Sequence, residues 1–208
     1  MKRVIITAFE PFGEYRFNPT EEIVKRIHLS PFDLDTMIFV IILPCEYYAF
    51  SVLDKAICEV NPNLVVSLGL SSSVTKLRIE SRFKNLMESK YADNKGFKPQ
   101  SQKILKSRTA PNYVEANSNP QHYKKLLEDN NIPIEISSDA DTFICNSLGF
   151  LTSYKITKEN LNMENIFMHI PWTDSYRDMV KLEEGKIFID SGTVIEAIKL
   201  IIKSSKKP

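Results

Sequence analysis

Cys145, His169 and Glu80 are the side chains whose types and settings fit the cleavage of an acyl bond. Cys145 stands in Ser138-Asp-Ala-Asp-Thr-Phe-Ile-Cys-Asn146, a stretch that leaves a strand-like segment and enters a helix-like one. A thiol at a helix N-terminus feels the positive end of the dipole, which favours thiolate. An imidazole beside it would take and return the proton, and a carboxylate behind the imidazole would fix its tautomer. We read Cys145 as nucleophile, His169 as its base and Glu80 as the group that orients the base. Each has a plainer reading. Cys145 also fits a small buried hydrophobe beside Phe143 and Ile144. His169 also fits a satisfied histidine at a strand end, and Glu80 a solvated charge on a strand.

The remaining thiols and imidazoles are weaker candidates. Cys58 falls on an apolar helix stripe and reads as core. Cys45 follows Pro44 at a strand end, where it would line a site without reacting. His28 follows a helix and reads as a surface residue; His122 falls in the first turn of a polar-faced helix. No His, Cys and Asp cluster has ligand spacing, so no metal is expected. Glycines number six, and none forms a phosphate-cradling loop. No cofactor is expected.

The elements that must position these groups alternate in type. Val4–Ala8 is a β-branched apolar run and reads as a buried strand. Asn18-Pro19 with Glu21 reads as an N-cap, a first-position proline and a capping-box partner for a helix striped by Ile23, Val24 and Ile27. Met37–Leu43 reads as a second strand. Tyr48, Val52, Leu53, Ala56, Ile57 and Val60 recur at helical spacing, with Pro62 beyond the stop. Leu64–Leu68 is a third strand. Residues 71–119 lose this regularity: Val74, Leu77 and Ile79 alternate as an exposed strand would, Asp93-Asn-Lys-Gly96 is a turn, and the segment reads as a functional or interface excursion. Asn119-Pro120 opens another helix, 132–137 is a strand, and Ile144, Leu148, Leu151 and Thr152 share one helix face. Ile166–Ile170 is the last strand. Ser191 would cap a final helix carrying Val194, Ile195, Ile198, Ile201 and Ile202.

This order implies an α/β fold, a three-layer α/β/α sandwich around a mainly parallel, mixed sheet. In such sheets ligands bind outside the carboxyl ends of strands, and Cys145, His169 and Glu80 all lie near such ends. The chain's 208 residues fit one domain over 1–208. Hydrophobic residues at 43% supply a core, and 27 basic against 26 acidic side chains give no bias toward nucleic acid. The basic run Lys203 to Lys207 reads as a solvated tail. No apolar run approaches the ~20 residues that cross a bilayer, and the N-terminus does not resemble a secretory signal. An odd number of irregularly spaced cysteines argues against a disulfide framework and for a cytoplasmic protein.

Several stretches together resemble one family. Thr7-Ala-Phe-Glu-Pro-Phe-Gly13 with Asn18-Pro-Thr20 is similar to the N-terminal signature of pyroglutamyl peptidase I (pyrrolidone carboxyl peptidase). Ile79-Glu80 with Asn85, Ser138 to Ala140 with Phe143-Ile-Cys-Asn146, and Met168-His-Ile-Pro171 resemble its glutamate, cysteine and histidine motifs, in the family's order. The resemblance covers about Val4 to Trp172. It implies a cysteine peptidase that removes an N-terminal L-pyroglutamyl residue from peptides without metal or cofactor, on a single α/β/α domain assembled as dimers or tetramers. It carries the catalytic roles onto Glu80, Cys145 and His169, and the lactam-binding pocket onto Phe9, Phe12, Phe143 and Ile144.

The chain departs from the family pattern at four positions. Asp141 stands where the family has Gly, Lys90 where many members have Arg, Leu70 where Gln is common, and Ala8 where Gly precedes the phenylalanine. A glycine at positive φ is replaced tolerably by Asp, but a carboxylate near Cys145 raises the thiol pKa. The alternatives to an active peptidase are a pyroglutamyl-peptide binder of low turnover and a thiol hydrolase of another small cyclic amide.

Overall fold

The computed structural model describes residues 1–28, 35–181 and 184–205. The elements are β1 (Lys2–Phe9), α1 (Pro19–His28), β2 (Thr36–Leu43), α2 (Ala49–Val60), β3 (Leu64–Leu70), β4 (Leu77–Glu80), β5 (Arg82–Lys84), β6 (Tyr113–Glu115), α3 (Pro120–Asp129), β7 (Ile134–Ser137), α4 (Ile144–Glu159), β8 (Glu164–Ile170) and α5 (Ser191–Ser204). Lys206 and Lys207, part of the basic tail read from the sequence, lie outside the described residues.

Six strands form one sheet in the order β2-β1-β3-β8-β4-β7. β2, β1, β3 and β8 run parallel. β4 runs antiparallel to β8, and β7 runs parallel to β4. Both faces are covered, which is why the parallel strands are nearly continuous apolar runs. Val4, Ile6, Leu64, Val66, Ile166 and Met168 pack against α1, α3 and α5. Ile5, Phe9, Val65 and Phe167 pack against α2 and α4. This is the three-layer, mixed-sheet α/β arrangement expected from the element order.

Three local expectations are corrected. The Val74–Ile79 segment is not an exposed strand: Leu77, Ile79 and Glu80 are fully buried, because β4 is inserted between β8 and β7. The α2 stripe is narrower than its spacing suggests. Ala49, Leu53 and Ile57 face the core, whereas Tyr48, Val52 and Cys58 are exposed. The cap of α5 is Asp190, whose Oδ2 accepts from the Thr193 N–H at 2.6 Å; Ser191 is the first helical residue.

The capping box at α1 does not close either. Asn18 Oδ1 accepts from the Thr20 N–H at 3.1 Å, but the Glu21 carboxylate turns to Lys25 at 2.6 Å. At α3 the expected cap holds, with Asn119 Oδ1 accepting from His122 N–H and Pro120 in the first position. Lys2 is buried and its Nζ donates to the carbonyls of Ile202 and Ser205, closing the C-terminal end of α5.

The 71–119 excursion folds around the start of α4. β5 and β6 form a two-stranded antiparallel sheet. Asn146, buried on α4, accepts from Lys84 N–H at 2.8 Å and donates to the carbonyls of Lys84 and Leu86. One side chain thus ties the excursion to the helix that carries Cys145. Gly149 lets them meet: a Cβ there would stand 2.2 Å from the Phe83 ring.

Candidate active site

β8 aims the imidazole. Phe167 and His169 are two residues apart, so they project from the same sheet face, the one covered by α2 and α4. Glu80 is the register partner of Phe167 on the antiparallel neighbour and projects from that face as well. The diagonal meeting places His169 Nδ1 2.8 Å from Glu80 Oε1. Glu80 is 0% and His169 7% exposed. An ionised carboxylate can only accept, so the shared proton sits on Nδ1 and Nε2 keeps its lone pair.

Glu80 ends β4, Cys145 follows the end of β7 and His169 is near the end of β8, as expected, but these carboxyl ends do not share one direction. β4 and β7 run opposite to β8, so their carboxyl ends point the other way. Glu80 reaches His169 because β4 pairs only with the last residues of β8.

β3 supplies the space. Gly69 is the register partner of His169. A Cβ on Gly69 would lie 3.0 Å from Cys145 Sγ, 3.0 Å from His169 Cδ2 and 3.1 Å from the Phe167 ring. The sulfur and the Cδ2 edge of the imidazole are therefore no farther apart than twice that contact distance. Cδ2 adjoins Nε2, the nitrogen left free by Glu80. Glu80, His169 and Cys145 are brought together.

α4 holds the thiol. Its N-cap, Phe143, offers no side-chain acceptor. Ser147 is the first residue of the helix whose N–H bonds back to the Phe143 carbonyl. The N–H groups of Ile144, Cys145 and Asn146 thus lack intrahelical acceptors and present the positive end of the helix. Burial nevertheless works against ionisation of this thiol. Burial, then Cys45, Glu80 and Asp141, push its pKa well above the ordinary thiol range, against a small lowering from its own backbone N–H. Burial disfavours the charged form more than the dipole favours it.

Asp141 has φ +64°, a left-handed conformation that favours glycine and that Asp tolerates better than most residues. Its exposed carboxylate accepts from the Thr142 N–H at 2.8 Å.

A cavity of about 990 Å³ opens in front of the thiol. Phe9, Phe12, Phe143, Ile144 and Cys145 all line it. Phe12 and Phe143 have ring centroids 5.0 Å apart, and Tyr47 buttresses Phe143 edge-on at 5.6 Å. His169 and Glu80 are not among the residues that line the cavity. Leu70 and Lys90, two of the atypical positions, line the cavity, as does Cys45. Burial pushes the Cys45 thiol up to about 12, with smaller contributions from Asp93, Glu10 and Glu46.

Part of the wall was not legible in the sequence. Tyr91, Ala92, Asp93 and Asn94 line the cavity as one strap-like segment, and Tyr15, Phe17 and Trp172 form a second aromatic wall. The signal for the strap was its turn. Buried Asp93 accepts from the N–H groups of Tyr47, Lys95 and Phe97, and Asn94 Nδ2 donates to the Pro11 carbonyl at 3.0 Å. Among the described residues no three His, Cys, Asp or Glu side chains gather as a metal-holding group, and no helix is long and apolar enough to cross a membrane.

Known proteins share this chain's pattern. The sequence model of the family described as Pyroglutamyl peptidase matches residues 2–207. A pyrrolidone-carboxylate peptidase of Thermococcus litoralis is 32% identical over 174 residues, 83% of this chain and 78% of its own. One from Oceanobacillus iheyensis is 30% identical, over 82% of this chain and 84% of its own. The solved structure of the pyrrolidone carboxyl peptidase from Thermococcus litoralis superposes with a TM-score of 0.89 at 31% identity, covering 99% of this chain and 93% of the other. The Fervidobacterium islandicum structure shares the fold at a TM-score of 0.90 and 24% identity, over 98% and 97% of the two chains. The chain belongs to the pyroglutamyl peptidase family.

Proposed function

We propose that the protein is a cysteine peptidase that removes an N-terminal L-pyroglutamyl residue from peptides, with Cys145 as nucleophile, His169 as general base and acid, and Glu80 as the residue that orients His169. The observation that carries this reading is the buried 2.8 Å pair of His169 Nδ1 and Glu80 Oε1, with Cys145 Sγ and His169 Cδ2 each 3.0 Å from the point where a Gly69 Cβ would stand.

The chemistry follows from a protonated thiol. His169 Nε2 takes the Sγ proton as sulfur attacks the pyroglutamyl carbonyl carbon, forming the C–S bond and an oxyanion. The imidazolium is stabilised by the Glu80 carboxylate, whose Oε2 has no other protein partner among the described residues. Oxyanion charge is met by the uncapped N–H groups at the start of α4. The tetrahedral centre collapses, the C–N bond breaks, and His169 gives its proton to the departing amine. Water then adds to the thioester with His169 as base, releasing pyroglutamate and restoring the thiol.

The pocket chemistry supports the substrate class. A lactam ring is flat and uncharged, so aromatic faces such as Phe12 and Phe143 hold it at little entropic cost. Phe9 and Ile144 close the apolar wall. An ammonium N-terminus would lose its hydration against these aromatic faces, which disfavours ordinary peptides.

The setting is read in the same way. The single six-stranded sheet, which draws strands from both ends of the chain, supports a single domain over 1–208. Free Cys45, Cys58 and Cys145 fit a reducing, cytoplasmic compartment. Exposed Tyr48 and Val52, one turn apart on α2, fit a subunit contact in a homo-oligomer.

The test is substrate discrimination. Alanine release is expected from pyroglutamyl-alanine and not from prolyl-alanine or glutamyl-alanine. Equal release from the three, or none from the first, overturns the assignment.

A further inference from the structure

The cavity is too large for its proposed occupant. At about 990 Å³ it stands at the upper end of pockets that hold drug-sized ligands, roughly 300–1,000 Å³. A five-membered lactam fills a fraction of that. Its aromatic lining also includes two clusters of neighbouring rings. One is Phe12 with Phe143, immediately before Cys145. The other is Tyr15, Phe17 and Trp172. Tyr15 meets Trp172 edge-on at 4.8 Å, Phe17 meets Trp172 at 5.9 Å, and Tyr15 meets Phe17 at 6.1 Å.

We propose that Tyr15, Phe17 and Trp172 form a subsite for the side chain of the residue that follows pyroglutamate, and that it selects flat aromatic side chains. The inference rests on the peptidase reading of Cys145 and His169 and deepens it. Its direction comes from the reaction geometry. His169 must protonate the departing amine, so the leaving peptide lies on the imidazole side of the sulfur and the lactam on the other. Phe143 and Ile144 flank Cys145 on α4, which makes their group the acyl side. Trp172 follows His169 by three residues, just past the end of β8, which associates the second group with the histidine rather than with the start of α4.

The second group is also built as a receptor rather than a core. Trp172 is 2% exposed and forms the floor. Tyr15 is 45% exposed and presents apolar area to the cavity that a neighbouring ring would cover, while Phe17 is half-buried and held by stacking on Tyr176 at 4.6 Å. Charged side chains are absent from this trio, so an aromatic or large apolar residue fits it better than an acidic or basic one.

The experiment compares kcat/KM for pyroglutamyl-phenylalanine amide and pyroglutamyl-alanine amide, with release followed chromatographically. The wild type should favour the phenylalanine amide by roughly three- to tenfold, the worth of one good aromatic pair. Tyr15→Ala should bring the ratio close to one, mainly through KM, and Tyr15→Phe should retain it. An unchanged ratio in Tyr15→Ala, or no preference in the wild type, overturns the subsite while leaving the peptidase reading intact. Failure of the wild type to cleave either amide overturns the peptidase reading, and the subsite with it.

Discussion

Glu80 and His169 come from strands that run in opposite directions, yet their side chains meet at 2.8 Å on one face of the sheet. The antiparallel pairing of β4 with the end of β8 creates this meeting. Glu80→Gln keeps the shape and removes the charge that holds the Nδ1 proton and stabilises the imidazolium. We expect kcat to fall about 10²- to 10⁴-fold with KM nearly unchanged. Wild-type kcat in a folded Glu80→Gln variant contradicts the role given to Glu80.

Gly69 should be as sensitive as a catalytic position, without taking part in the chemistry. An alanine Cβ would press on Cys145 Sγ and His169 Cδ2 at 3.0 Å and on Phe167 at 3.1 Å. Sulfur and ring must separate to admit it. Gly69→Ala should cost about 1–3 kcal/mol of stability. It should also lower kcat on the order of 10²-fold, since small displacements of reacting groups are heavily penalised. Thermal unfolding and steady-state kinetics on one preparation separate the effects. A loss of stability without a loss of kcat shows that the contact is not at the reacting atoms.

Cys45 gives a pH dependence of stability. Its pKa is raised from 9.0 to about 12 in the folded protein, chiefly by burial. The folded state therefore holds its proton more tightly than the unfolded state. The associated stability is fully present below pH 9.0 and is lost as pH rises toward 12. Cys45→Ser removes this titration, so the melting temperature should fall less steeply between about pH 8 and pH 10 than in the wild type. Some slope remains, because Cys145, Tyr47 and Tyr123 are also shifted upward by burial. Identical slopes in the two proteins would rule out Cys45 as a contributor.

The sequence carried the element order and the choice of three candidate groups further than it carried their geometry. Apolar runs such as Val4–Ala8 and Leu64–Leu68 read correctly because a strand buried on both faces has no polar alternation to blur it. β4 was misread for the opposite reason. Leu77-Arg-Ile-Glu80 alternates like a half-exposed strand, but Glu80 turns inward to His169, and Arg78 pairs with its neighbour Glu135 at 2.5 Å. Periodicity cannot distinguish a carboxylate facing water from one facing an imidazole. Tyr48, Val52 and Cys58 misled because apolar type was taken for burial, though α2 presents one narrow stripe to the sheet. The strap along the cavity has no periodicity to read; the three N–H groups that converge on Asp93 hold it.

The most direct measurement is release of the fluorophore from a fluorogenic pyroglutamyl amide by the wild type and by Cys145→Ser, under identical reducing conditions. The expected result is steady release by the wild type and a loss of at least about 10³-fold in the variant, because a serine hydroxyl offers a far poorer nucleophile to this site. Release by Cys145→Ser at the wild-type rate, or no release by a folded wild type, would contradict the assignment of Cys145 as nucleophile.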